Sequence, residues 1–185
     1  INHTGPDIIQ SVDYVRVYDV SGTPENYIFA TNSWSLGGQT DYWSFDAMTY
    51  TFFGDGPWSI PSNWYENALP SITDSLQVLS GANLILNGNR TINGILVDGI
   101  ITIGNDTLTV NGESVINDSI SIGAGLLTAN GVIDNNGTIA IATGTLDANA
   151  PFEGDAGAIT FTDDGNLSLA STVISLGTLS DDNGT

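Results

Sequence analysis

The feature that most constrains this chain is a repeat of nineteen to twenty-one residues in its second half. Ile101-Thr102-Ile103-Gly104 recurs as Ile120-Ser121-Ile122-Gly123, Ile139-Ala140-Ile141-Ala142 and Ile159-Thr160-Phe161-Thr162, at steps of 19, 19 and 20 residues. A second series keeps pace at 19, 19 and 21: Leu108-Thr109-Val110-Asn111, Leu127-Thr128-Ala129-Asn130, Leu146-Asp147-Ala148-Asn149 and Leu167-Ser168-Leu169-Ala170. Leu76-Gln77-Val78 with Leu84-Ile85-Leu86-Asn87 reads as an earlier, longer copy. Each copy holds short apolar-polar-apolar strands, the third a looser one such as Val115-Ile116 or Val132-Ile133. Period-two alternation turns one face of such a strand inward and the other to solvent. A single copy cannot bury its own apolar face, so several must stack before any is stable. If one copy is one coil, equivalent strands run parallel about 4.8 Å apart and the inward side chains form continuous columns. The expected fold is therefore all-β, a parallel β-helix or solenoid of roughly five coils over residues 75–185.

Asn, Asp and Gly fill the corners between strands, at Gly104-Asn105-Asp106, Asn111-Gly112, Asn117-Asp118, Asn130-Gly131 and Asn135-Asn136-Gly137. These residues tolerate left-handed backbone, which is the expected reason for their presence. A hairpin sandwich could use the same corners; it is the repeat that selects the solenoid. Its handedness is left open.

Composition divides the chain. Fourteen of the 16 aromatic residues precede residue 66, whereas 13 of the 18 Asn follow residue 80. A boundary is expected near Pro70–Ser75, where Pro70 and Asp74 supply turn chemistry. The division so read is a terminal strand of a preceding sandwich-like domain over 1–20, an aromatic-rich linker or cap over 21–74, and the β-helix over 75–185. The residues from Ile1 to Gly5 lack the features of a signal peptide and read as part of something longer.

The charge balance excludes whole classes of partner. Twenty-one acidic residues face only Arg16 and Arg90, a formal net charge of -19. Nucleic acid binding and a polybasic membrane anchor both need clustered cations. No apolar run is long enough for membrane insertion by a helix. There is no Cys, hence no disulfide, thiolate metal site or thiol nucleophile. A lysine-free acidic surface stays soluble in salt, which suits an extracellular location.

Two segments carry resemblances. Pro6 to Asp19, with Ser11-Val12-Asp13-Tyr14-Val15-Arg16-Val17-Tyr18-Asp19 at its heart, resembles the C-terminal strand of glycoside hydrolase family 16, the laminarinase-like β-sandwiches. That family carries its nucleophile and acid/base on a Glu-x-Asp-x-(x)-Glu strand. Glu25, Glu66, Glu113 and Glu153 form no such pattern, so no catalytic residue is carried over. Residues 49–185 resemble the repeat region of large bacterial cell-surface proteins of the adhesin and autotransporter-like kind. The matching positions are Gly54, Gly56, Trp58, Asn63, Trp64 and Pro70, followed by the Leu84-to-Asn87 coil. The resemblance implies a β-helix led in by a turn-and-packing motif.

An open solenoid end exposes unpaired backbone and apolar columns, so a cap is expected. Trp58, Trp64, Asn63 and Pro70 are assigned to it, with Tyr50, Phe52 and Phe53 adding bulk. Trp34, Trp43, Tyr42 and Tyr27 are the candidate carbohydrate-binding platform, since sugar rings stack on aromatic faces while polar neighbours take the hydroxyls. The competing reading for these four is packing. Asp and Asn at stacked corners offer oxygen ligands for Ca²⁺, the one cofactor considered, with Asp163, Asp164, Asp181 and Asp182 as metal candidates. Solvated corners are the preferred reading. His3 has no partner for a triad or a metal cluster.

The functional expectation is a non-catalytic extracellular surface module, a stalk or adhesion segment of a larger secreted protein that contacts polysaccharide. A rival is a self-assembling subunit in which the strand from Ile8 to Val20 adds to an open edge of the next copy, forming fibres. A polysaccharide-degrading β-helix enzyme ranks last, because Arg90 is the sole cation in the repeat.

Overall fold

The structure is a computed structural model. It describes the backbone of residues 10–13, 16–17, 28–31, 34–35 and 43–45, and the whole of residues 47–154 and 156–181. The chain forms two compact units, Ile1–Met48 and Thr49–Thr185.

In the first unit β1 (Gln10–Asp13) pairs in parallel with β3 (Ile28–Thr31), and β3 with β5 (Trp43–Phe45). β2 (Arg16–Val17) pairs in parallel with β4 (Trp34–Ser35).

The second unit is a β-solenoid of about six turns. Its first sheet contains β6 (Thr49–Phe52), β8 (Ser75–Val78), β11 (Gly94–Val97), β14 (Ser114–Ile116), β17 (Ile133–Asn135), β20 (Phe152–Glu153) and β23 (Val173–Ser175). The second sheet contains β7 (Asp55–Pro57), β9 (Asn83–Ile85), β12 (Ile100–Ile103), β15 (Ser119–Ile122), β18 (Thr138–Ile141), β21 (Ala158–Phe161) and β24 (Thr178–Asp181). The third contains β10 (Arg90–Ile92), β13 (Thr107–Val110), β16 (Leu126–Ala129), β19 (Thr145–Ala148) and β22 (Asn166–Leu169). Seven rungs at the usual strand spacing make a stack about 29 Å long.

Every ladder is parallel, and the sequence repeat is the register. Leu84, Ile101, Ile120, Ile139, Ile159 and Leu179 stand one over the next in the second sheet. Leu108, Leu127, Leu146 and Leu167 do the same in the third. From Leu84 to Ile159 and from Leu108 to Leu146 these side chains are buried, and each removes apolar area worth about 1.5–3 kcal/mol from water. Shifting a strand by one residue would turn its whole apolar set outward, which is why the columns fix the register.

Three details depart from the sequence reading. The solenoid begins at Thr49 rather than at residue 75, because β6 pairs with β8 and β7 with β9 across long connections. The segment read as a cap thus contributes the first turn. The third strand follows a register its apolar residues conceal: Ile133 lies opposite Ser114, and Asn135 opposite Ile116. Ser114 and Asn135 occupy inward, buried positions, so the apolar pair Val132-Ile133 misstates the alignment. Finally, the Asn and Gly of the repeat corners are not chosen for left-handed backbone. Among the described residues positive φ occurs at Asn67, Gly56, Gly81, Gly88 and Gly177, none of them in the corners named above. The corner glycines are needed because backbones of successive turns touch. A Cβ on Gly131 would run into the carbonyl of Gly112, and one on Gly125 into that of Asp106.

Candidate functional site

The cap is built from the residues upward. Thr49–Phe52 is a strand by its alternation, burying Tyr50 and Phe52 and turning Thr49 and Thr51 outward. Pro61–Asn63 forms a 3-10 turn with Pro at its start, where its fixed φ suits the turn and its missing N–H costs nothing. The turn returns the chain so that Asn63–Tyr65 runs antiparallel along the free edge of β6. The Phe53 N–H donates to the Asn63 carbonyl at 3.1 Å and the Tyr65 N–H to the Thr51 carbonyl at 3.0 Å. The Thr51 N–H donates to the Glu66 carboxylate at 3.0 Å. That edge therefore has few free donors left.

Beneath it, Trp58 and Trp64 are 2% and 1% exposed and meet edge to face at 5.1 Å. Trp64 makes the same kind of contact with Phe52 at 5.1 Å, and its indole N–H donates to the Trp58 carbonyl at 2.9 Å. The Arg90 guanidinium lies 5.9 Å from the centroid of the Trp58 ring, a cation–π contact at the first strand of the third sheet. Pro57 ends β7 on the remaining edge, where it offers no N–H to a newcomer. Asn63 packs its side chain against Gly54, where a Cβ would stand 2.9 Å from the Asn63 amide carbon. Pro70 is half-buried in the connection to β8, followed by a turn in which the Ser71 N–H and hydroxyl both donate to the Asp74 carboxylate at 2.7 Å.

Burial pushes the Tyr50 hydroxyl up to about 12, with the negative charges of Asp74 and Glu66 adding to the effect. Tyr50 stays neutral because its phenolate would be both desolvated and repelled.

The other candidates are dispersed. Trp34 stands on β4, opposite Arg16, and Trp43 on β5, opposite Ile28, so the two belong to different sheets of the first unit. Tyr27 and Tyr42 lie outside the described residues. Asp163 and Asp164 sit in the corner between β21 and β22, where the Asp164 N–H donates to the Asp163 carboxylate at 2.9 Å. Asp181 ends β24, in register with Phe161. Asp182 lies outside the described residues, among which no three or more His, Cys, Asp or Glu converge as a metal site would require.

Sequence reasoning passed over the outer faces. In the second sheet Ile100, Ser119, Thr138, Ala158 and Thr178 form one outward column, and Thr102, Ser121, Ala140, Thr160 and Ser180 another. None of these ten residues is charged, in a chain that carries -19, although the first column continues through Asn83 to Asp55. For the second column the signal was present in the middle member of each triplet, such as Thr102 and Ser121. On the third sheet a shallow depression of about 540 Å³ is lined by Asn105, Thr107, Leu126, Thr145, Asp147 and Ser168 among others. It offers hydroxyls, an amide and one carboxylate; no aromatic ring lines it. Exposed amides stack at two corners. Asn149 donates to Asn130 at 3.1 Å and Asn130 to Asn111 at 3.0 Å, while Asn117 donates to Asp98 at 2.8 Å. No helix among the described residues is long and apolar enough to cross a membrane.

Fold and faces together define the class: a parallel β-solenoid with a buried aromatic cluster in its first turn. Comparison with protein-family models, curated proteins and solved structures finds no match for this chain.

Proposed function

We propose that this chain is a non-catalytic extracellular module, a rigid spacer in the surface region of a larger secreted protein that contacts polysaccharide. The observation that carries the reading is the constant register of the second sheet from β12 to β21. Successive turns superpose their side chains column on column, which yields a stiff rod with long, flat outer faces rather than one concave pocket. Polysaccharides are themselves repetitive and hydroxyl-rich, so an extended face of hydroxyls and amides is a chemically apt counterpart. Aromatic stacking, which such a face lacks, is assigned in this reading to Trp34 and Trp43 of the first unit. The acidic, lysine-free composition and the resemblance to bacterial surface repeats support an extracellular setting.

Affinity electrophoresis in gels containing soluble β-glucan or an anionic algal polysaccharide tests the binding half. Retardation that falls at least tenfold in both Trp34→Ala and Trp43→Ala supports the platform. Retardation unchanged in both variants removes the platform, and no retardation in any gel removes glycan contact from the proposal.

A further inference from the structure

The outer face of the third sheet differs from the other two, and the difference points to a binding site on the side of the stack. Its strands β13, β16 and β19 are each paired on both edges, so the face belongs to the middle turns of the solenoid. In the first sheet an outward column runs Leu96, Val115, Asp134, Glu153 and collects two carboxylates. In the third sheet one outward column runs Thr107, Leu126, Thr145, and its neighbour runs Thr109, Thr128, Asp147. The depression of about 540 Å³ lies over these columns, bordered by Asn105 and by Ala124 and Gly125 of the next corner. That corner stays low because a Cβ on Gly125 would collide with the Asp106 carbonyl.

Two side chains in the depression are not accounted for by the fold. Leu126 is a half-buried aliphatic chain among hydroxyls, next to Leu127, which is the residue that joins the core column. Asp147 is the one charged residue in the lining, and no Lys or Arg accompanies it. It accepts a single long bond, from the Asn149 amide at 3.5 Å, which leaves most of its acceptor capacity unused.

We propose that this depression is a subsite for one strand of a neutral, extended polysaccharide lying along the solenoid axis, with Leu126 under the apolar face of a sugar ring and Asp147 accepting bonds from its hydroxyls. The assignment rests on the reading of the chain as a polysaccharide-contacting module, and it names the class of glycan and the residues that hold it. Shape selects an extended ligand. The depression is shallow, so it cannot enclose a compact molecule as small-ligand sites do. Spacing selects a repetitive one. Thr107, Leu126 and Thr145 follow one another at the strand interval of about 4.8 Å, and successive sugars of an extended β-linked chain advance by nearly the same step. Charge selects a neutral one, because a lining without a cation, in a chain of net charge -19, repels an anionic polymer. A carboxylate makes stronger hydrogen bonds than a neutral acceptor, so Asp147 orients the ring above Leu126, while the Thr107 and Thr145 hydroxyls, donors and acceptors both, serve its neighbours.

Affinity electrophoresis of the full chain tests the assignment, in gels containing a soluble mixed-linkage β-glucan, a galactomannan, or the same β-glucan after carboxymethylation, with mobility taken relative to a gel without polysaccharide. Retardation by a neutral polymer, and none by the carboxymethylated one, is expected. Leu126→Gln with Asp147→Asn should weaken it at least tenfold, and Thr145→Val alone about threefold, the worth of one neutral hydrogen bond. Ser121→Gln, on the outer face of the second sheet, should leave it unchanged. These positions point outward, so circular dichroism should show wild-type spectra and melting in every variant. Retardation that Leu126→Gln/Asp147→Asn leaves intact overturns the subsite while glycan contact elsewhere on the chain stands. Stronger retardation by the carboxymethylated glucan than by its parent overturns the neutral class. Retardation in no gel overturns the subsite together with the reading on which it rests.

Discussion

The first turn and the last described turn of the solenoid are built with different chemistry. Each belongs to a stack whose interior is a set of aliphatic columns. The first turn contains a long connection. From Tyr50 to Leu76 the step to the next rung is far longer than one repeat, and the extra chain folds back as the 3-10 turn, the antiparallel strip and the two tryptophans. The last described turn keeps nearly the repeat length and carries exposed Val173 and Leu179, and Asp181, in its columns. The first turn is thus filled with aromatic side chains that join the core, while the last described turn leaves its column residues exposed.

If that contrast is sound, the largest loss of stability comes from the filled turn. Trp64 touches Tyr50, Phe52 and Trp58 and is almost wholly buried. Trp64→Ala should cost about 3–5 kcal/mol, the range for large aromatic truncations in a core. Urea unfolding followed by circular dichroism measures it. A loss below about 1 kcal/mol would mean that the tryptophans are ornament on a stack that holds itself.

Alkaline titration sharpens the same point. The Tyr50 hydroxyl has its ordinary value near 10 in the unfolded chain and about 12 in the folded one. The folded state therefore keeps its proton over a range in which the unfolded state has lost it. Stability is full below pH 10, falls as pH rises from about 10 to 12, and levels off above. Two pKa units correspond to about 2–3 kcal/mol. Tyr50→Phe should flatten the fall between pH 10 and 12 relative to wild type, and an identical slope in both proteins would assign it to the other tyrosines.

The contrast also explains what the amino-acid pattern disclosed. The columns through Ile101, Ile120 and Ile139 were legible because stacking demands the same kind of side chain at the same place in each turn. The third strand was not, because Ser114 and Asn135 fill inward positions and break the apolar signal. The opening turn escaped for another reason. Its rungs are spaced by the length of the cap, so the period that marks all later turns is absent there. Of the site candidates, Trp58 and Trp64 were readable as buried packing residues from bulk alone. The outer hydroxyl columns went unread because Ser, Thr and Ala there announce only the solvent side of a strand. Trp34 and Trp43 could be found by composition, but a platform is a matter of relative placement, which composition does not carry.

A smaller effect belongs to the corners between these two turns. Asn130 donates to Asn111 and accepts from Asn149, both contacts exposed. Exposed amide bonds exchange freely with water, so Asn130→Ala should cost about 1 kcal/mol. Asn111→Ala and Asn149→Ala, each losing one contact of the stack, should cost about half of that. The double variant Asn111→Ala/Asn130→Ala should be less costly than the sum, since the two share one bond. Strict additivity would show that the amides stand in line without interacting.

The smallest effect is expected in the last described turn, and it decides the comparison. Leu179 belongs by register to the column of Ile139 and Ile159, yet more than half of its surface is in water. Most of the transfer free energy that Ile139 gains is therefore never gained by Leu179, and Leu179→Ala should change global stability by no more than about 0.5 kcal/mol, against about 2–5 kcal/mol for Ile139→Ala. Local opening should follow the same gradient. Amides of β23 and β24 should exchange with deuterium far faster than those of β15 and β18, while amides of β6 and β8, held under the tryptophans, should be protected close to the level of the middle turns. Equal protection in the first and the last described turns would show that burial under the tryptophans adds nothing to the local stability of β6 and β8, and the comparison would lose its energetic meaning.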